Sequence, residues 1–224
     1  MDHPAIAGEP DRDCPYCPRL AAFREANRAA FPGWFNAPVP SFGDDAARLL
    51  IVGLAPGLRG ANRTGRPFTG DHAGILLYAT LAKFGFASGE YGASPEDGLR
   101  LEDCMITNGV RCVPPANKPE PAEIATCRQF LVQRIAVSPD LRAILVLGRI
   151  AHDTALRALG LRIAAFPFAH GAVHALPGGR VVLFDSYHCS RYNTNTGMLT
   201  AEMFEMVFKK ARTYLDQISS SNVD

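Results

Sequence analysis

The stretch LLIVGLAPGLRGANRTGRPFTGDHAGILLYATLAKFG (49–85) decides the fold. It opens on an apolar run, LLIVGLAP (49–56), crosses a long polar, glycine-rich loop, and ends in GILLYATLAKFG (74–85), a helical stretch. A run apolar at nearly every position suits a strand buried on both faces, and the loop and helix behind it complete a βα unit. Working outward, the same kind of run recurs at CMITNGV (104–110), AILVLG (143–148) and VVLFDSYH (181–188). Helical stretches follow them at 120–137, 149–160 and 199–218, and a further helix is expected at RLAAFREANRAAF (19–31). Alternating buried strands and amphipathic helices predict an α/β fold: a three-layer α/β/α arrangement with a central four-stranded parallel sheet. Residues 86–103 read as a polar excursion and SSSNVD (219–224) as a frayed tail.

The 224 residues are 47% hydrophobic and 20% charged, an ordinary globular composition that excludes disorder and collagen-like repeats. One domain over 1–224 is expected, with the N-terminal segment as part of it. No apolar run approaches the roughly 20 residues that cross a bilayer; even LRAILVLGRIAH (141–152) is broken by Arg142, Arg149 and His152. The start, MDHPAIAGEPDRDCP (1–15), has no basic segment followed by an apolar one, so a cytoplasmic protein is expected, and a monomer. With 23 Lys+Arg against 22 Asp+Glu there is no uniform basic coat, which leaves room for a local basic patch. Six cysteines in such a chain point to ligation rather than disulfides.

In an open parallel sheet, ligands bind beyond the C-terminal ends of the strands. The loops there, 55–72, 108–119, 148–152 and 186–197, collect Arg59, Arg63, Arg66, Arg111, Lys118, Arg149 and Arg191, and predict one basic face. Cys14 and Cys17 form a C-x2-C pair, while Cys112 and Cys127 lie in or beside the second loop and its helix. Four thiolates suit zinc or an iron–sulfur cluster, the spacing matches neither a zinc ribbon nor a ferredoxin run, and buried free thiols are the plain alternative. Cys104 and Cys189 read as structural. His188, just past the fourth strand, is either structural or a donor; Asn108 either turns the chain or reads a polar edge. Phe68 either packs on the core or offers a stacking face, and Asp71 either caps a helix or acts on a ligand, or does both. GLAPGLRG lacks the Gly-Lys-Ser/Thr of a nucleotide-phosphate loop.

Taken together, GLAPG (53–57), NRTGRPFTGD (62–71), TNGVRC (107–112) with PPANKPEPAEI (114–124) and Cys127, and YHCSRYNTNTG (187–197) resemble the iron–sulfur branch of the uracil-DNA glycosylase superfamily, family 5 (B type). The resemblance runs from Cys14 to about Thr200. It implies a 4Fe-4S cluster on Cys14, Cys17, Cys112 and Cys127, and removal of uracil from DNA. It implies that Gly53, Ala55, Pro56 and Gly57 line the base pocket, that Asn108 reads the uracil edge and that Phe68 stacks on the flipped base. His188 would then donate to the departing base and Asp71 would assist water or the sugar cation. Arg59, Arg63, Arg66, Arg111, Lys118, Ser190, Arg191 and Tyr192 would meet DNA, with Arg191 or Tyr192 as the wedge that fills the vacated stack.

Two positions depart from the family pattern or from its other branches. His188-Cys189-Ser190 stands where the family has His-Pro-Ser, which removes a residue that fixes its own φ. Ala55 stands where other families carry an acidic or amide group for the attacking water, in agreement with family 5. A small Ala55 leaves room for other deaminated bases such as hypoxanthine and xanthine. The readings to be set against this one are a uracil-DNA binder without turnover, a narrower family 4 type glycosylase, and a nucleotide-binding α/β protein with a zinc site.

Overall fold

The computed structural model describes residues 8–220. In chain order the elements are α1 (Pro18–Ala30), β1 (Phe42–Gly43), β2 (Leu49–Gly53), α2 (Ala61–Thr64), α3 (His72–Lys83), β3 (Ala87–Ser88), β4 (Arg100–Leu101) and β5 (Cys104–Asn108). They continue with α4 (Pro121–Ala136), β6 (Ala143–Leu147), α5 (Arg149–Ala158), β7 (Val173–Ala175), β8 (Val182–Ser186), α6 (Arg191–Asn195) and α7 (Ala201–Ser220). The expected strands and main helices are thus present, with ends shifted by a few residues. Ser219 and Ser220, expected to fray, continue α7 with their hydroxyls on the carbonyls of Leu215 and Asp216. The rest of the tail, 221–224, and the start of the chain, 1–7, lie outside the described residues.

The main sheet has the order β1-β5-β2-β6-β8-β7, six strands and not four. The four expected strands form its parallel centre, and β1 and β7 add short antiparallel edges on β5 and β8. Two- and three-residue strands carry too little periodicity to be read from sequence. Successive side chains on the central strands point to opposite faces. Leu49, Ile51, Ile106 and Leu145 meet α3 and α7 on one face; Leu50, Val52, Ile144 and Val146 meet α4 and α5 on the other. This double burial is why the strand sequences are continuously apolar, and it makes the three layers.

Residues 86–103 are more than an excursion: β3 and β4 pair antiparallel there, and Asp97 takes a two-pronged ion pair from Arg66 at 2.8 and 2.6 Å. Arg66 also stacks beside Phe42, Tyr78 and Tyr91. Among the described residues, no helix is long and apolar enough to cross a membrane.

Candidate functional site

A cleft of about 430 Å³ opens at the C-terminal ends of β2, β5 and β8. Ala55, Pro56, Gly57, Phe68, Asp71, Asn108, His188, Ser190 and Arg191 all line it, so residues drawn from three separate loops converge. Gly53 lies beneath, paired in register with Asn108. Each group is positioned by a local requirement of the chain.

Asn108 ends β5, 3% exposed, and its Oδ1 is buried with no hydrogen-bond partner among the described residues. An unpaired buried amide oxygen is costly, and such groups concentrate where a ligand completes them. Phe68 has φ +52°, a left-handed conformation that a bulky residue rarely adopts. Two features hold it there: the Tyr91 hydroxyl donates to the Phe68 carbonyl at 3.2 Å, and Gly74 leaves room for that carbonyl, since a β-carbon would lie 1.8 Å from it. The Phe68 ring faces the His188 ring at 6.0 Å.

His188 follows β8 directly, and its backbone carbonyl accepts from Asn193 Nδ2 at 2.8 Å. Burial alone pushes its imidazole down to about 4, so the ring is neutral at neutral pH and one nitrogen carries a proton to donate. Cys189, at the position of the proline in the family pattern, is fully buried with its thiol 3.5 Å from the Ala73 carbonyl. Core packing thus holds the turn that proline would otherwise stiffen. Asp71 is the N-cap of α3, with Oδ1 accepting from the Gly74 amide at 3.1 Å. Its other oxygen sits beside Gly57 and Gly60, where β-carbons would lie 3.4 and 2.5 Å from it. Burial raises its carboxyl, opposed by the amides of Gly74 and Ala73. An aromatic face, an unpaired amide oxygen, a neutral imidazole and a carboxylate together suit a flat polar heterocycle.

Two neighbours in the cleft carried no sequence signal of their own. His72 reaches Thr194 Oγ1 at 3.0 Å and so links α3 to α6; Asn117 comes from a turn where it has φ +55°. Arg191, which lines the cleft, is exposed, as are Arg59, Arg63 and Lys118 in the loops after β2 and β5, and Tyr192 is 73% exposed. The loop 190–195 is a short helix, α6, with Ser190 accepting from the Asn193 amide.

Two residues expected on the basic face are not there. Arg66 is 4% exposed and bound to Asp97. Arg111 is 1% exposed; it pairs with Glu9 at 2.8 Å and donates to the carbonyls of Val39 and Gly8 and to Ser41 Oγ. Both guanidiniums spend their donors inside the protein and hold loops in place. Neither guanidinium is open at the surface.

Cys14, Cys17, Cys112 of the second loop and Cys127 of α4 line one small cavity with Leu20 and Phe130, and none is in a disulfide. Arg19 grips Glu123 through two contacts of 2.8 Å, which docks α1, just after Cys17, on α4, one turn before Cys127. Glu123 also takes the amide of Glu120 at 2.7 Å and so fixes the start of α4. The Arg111 amide points at Cys127 Sγ (3.3 Å), and the buried Arg24 guanidinium lies 3.9 Å from Cys112 Sγ. Ala55 packs against the same cluster, so this group and the cleft share a wall.

Residues 40–212 match the family model described as Uracil DNA glycosylase superfamily. The chain is 48% identical over 204 residues to a type-5 uracil-DNA glycosylase of Thermus thermophilus, covering 89% of this chain and 92% of that one. It is 44% identical over 208 residues to a type-5 uracil-DNA glycosylase of Mycobacterium bovis, with 89% and 77% covered. A type-4 uracil-DNA glycosylase of Archaeoglobus fulgidus is 34% identical over 154 residues, 67% of this chain and 69% of the relative.

Proposed function

Because the chain belongs to the uracil DNA glycosylase superfamily and sides with its type-5 members, we propose that it hydrolyses the N-glycosidic bond of uracil in DNA and leaves an abasic site. The observation that carries the reading is the buried, unpaired Oδ1 of Asn108 beside Phe68 and a neutral His188 in one cleft. A base extruded from the duplex stacks on Phe68 and satisfies the Asn108 amide with its polar edge. Breaking the bond leaves negative charge on the departing base and positive charge on the sugar. His188, its ring held neutral by burial, donates to the base oxygen where that negative charge grows. The Asp71 carboxylate orients the attacking water or faces the sugar cation, while its other oxygen stays on the helix cap. Arg59, Arg63, Lys118 and Arg191 hold phosphates, and exposed Arg191 or Tyr192 fills the gap in the stack.

The four thiols suit a 4Fe-4S cluster on Cys14, Cys17, Cys112 and Cys127. They are soft donors on one apolar cavity, unpaired with each other, and face an amide and a buried guanidinium, which offset the charge of a thiolate-ligated group. As bare thiols burial pushes Cys112 up to about 11 and Cys127 up to about 12, so only a bound metal group makes thiolates of them. Such a cluster supplies a cross-link between the N-terminal segment and the loop after β5. The bond-breaking groups are all on the other side of Ala55.

A small Ala55 on the cleft wall leaves space for hypoxanthine and xanthine as well as uracil. The test is a single-turnover gel assay on duplexes carrying each base, with alkaline cleavage of the abasic product. Excision of uracil is expected, with slower excision of the two purines. Tight binding without product would replace the enzyme by a damage binder, and excision of uracil alone would retract the wider base range.

A further inference from the structure

Asp185 lies in β8, three residues before His188, fully buried between two imidazoles from other elements. His152 Nδ1, on α5, is 2.7 Å from Asp185 Oδ1; His174 Nε2, on β7, is 3.0 Å from Asp185 Oδ2. One nitrogen of each histidine and a carboxylate oxygen lie within 4.8 Å of one another. The second nitrogen of His152, Nε2, is 2.8 Å from the Phe166 carbonyl, which only accepts, so that nitrogen carries a hydrogen. In a neutral His152 the Nδ1 lone pair then points at a carboxylate oxygen 2.7 Å away, and the two repel. The contact needs something between the two atoms: a proton shared by Nδ1 and the carboxyl oxygen, or a cation.

We propose that His152, His174 and Asp185 form a binding site for a divalent transition-metal cation of the zinc class, separate from the cysteine group. Two imidazoles and one carboxylate are the borderline donor set that zinc takes, and three protein ligands leave a fourth position for water. The outer contacts are those of a ligand site: Nε2 of His152 donates to a carbonyl, which fixes the tautomer, and the Ala169 amide steadies Asp185 Oδ2 at 3.4 Å. His174, with a side chain 13% exposed, gives the cation a path from solvent that the other two ligands lack. The bound ion staples the edge strand β7 to β8, the strand that leads into His188.

The test uses the full chain, isolated from zinc-supplemented growth and desalted, with iron and zinc counted by mass spectrometry. About one zinc per chain beyond the iron is expected, and X-ray absorption at the zinc edge should show only nitrogen and oxygen neighbours at about 2.0–2.2 Å. His174→Gln keeps a donor to Asp185 but removes the imidazole, and should lower zinc retention at least tenfold with iron unchanged. Absence of zinc from the wild type overturns the site and leaves a shared proton to hold His152 and Asp185 together. A sulfur shell at about 2.3 Å, or zinc retained in His174→Gln, puts the metal on the cysteines and overturns it equally. The wild-type absorption measurement stands even if the variant fails to fold, and neither readout depends on glycosylase activity.

Discussion

Asn108 and Gly53 face each other on adjacent strands so closely that a β-carbon on Gly53 would lie 2.4 Å from the Asn108 amide oxygen and 2.7 Å from the Phe68 ring. Glycine is required here for space, since both the amide and the ring need the room. Gly53→Ala should therefore displace both groups and lower single-turnover excision about 10²-fold, the scale of a misplacement near 1 Å. Filter binding should show nearly unchanged affinity for undamaged DNA, and circular dichroism an intact fold. Normal excision by the variant would mean that Asn108 does not touch the base.

His188→Ala should cost about 10²–10³ in excision rate, the usual loss of one donor to a developing anion. The pH dependence follows from burial. With the imidazole held down to about 4, it is already neutral above pH 5.5, and its contribution does not change between pH 5.5 and 8.5. The ratio of wild-type to variant rates should stay flat over that span. A step near 6.5 would mean that the ring titrates like a solvated histidine and donates as an imidazolium.

Asp71 has two tasks that two substitutions separate. Asn also caps helices, so Asp71→Asn should leave the melting temperature nearly unchanged while excision falls about 10²-fold or less. Asp71→Ala loses the contact to the Gly74 amide as well and should cost about 1 kcal/mol of stability in urea unfolding. Equal stability of the two variants would show that the cap contributes nothing.

Arg66 and Asp97 are both buried, and Asp97→Ala strands a guanidinium in the interior. A loss of about 3–5 kcal/mol in unfolding free energy is expected. Arg66 holds the Asp97 carboxyl well below the ordinary range, so the pair's contribution is complete above about pH 4 and drains away as the solution is acidified further. Replacing Arg63 or Arg191 by Ala should reduce the salt dependence of DNA binding by about one counterion each. Stability carries the signature of Arg66, and DNA binding that of Arg63 and Arg191.

Cys112→Ser should remove the brown chromophore and lower thermal stability together, because binding of a metal group and folding are coupled. A colourless variant that melts like the wild type would make the four cysteines ordinary buried thiols.

The sheet centre and its helices are legible because burial on both faces leaves an unmistakable apolar run, as in Leu49–Gly53 and Ala143–Leu147. Phe42–Gly43 and Val173–Ala175 are not, being too short for any periodicity. The cleft residues are legible as loop motifs after strands, since topology alone brings those loops together. Arg66 and Arg111 mislead because side-chain type says what a residue can pair with and nothing about where its partner is. Asp97 is 31 positions from Arg66, and Glu9 more than a hundred from Arg111. The triad of His152, His174 and Asp185 is scattered across three elements and has no local pattern at all.

Glu9 has a further bearing on how the chain can be shortened. Its two oxygens meet Arg111 at 2.8 Å and Arg134 at 2.9 Å, and both guanidiniums are almost entirely buried. A truncated chain starting at Cys14 would keep all four cysteines yet take away the anion shared by two interior cations, leaving Arg111 without Gly8 and Glu9 and Arg134 with only the exposed Asp45. Shortening the amino terminus thus costs stability before the first cysteine is reached, and an affinity tag placed there belongs upstream of Gly8.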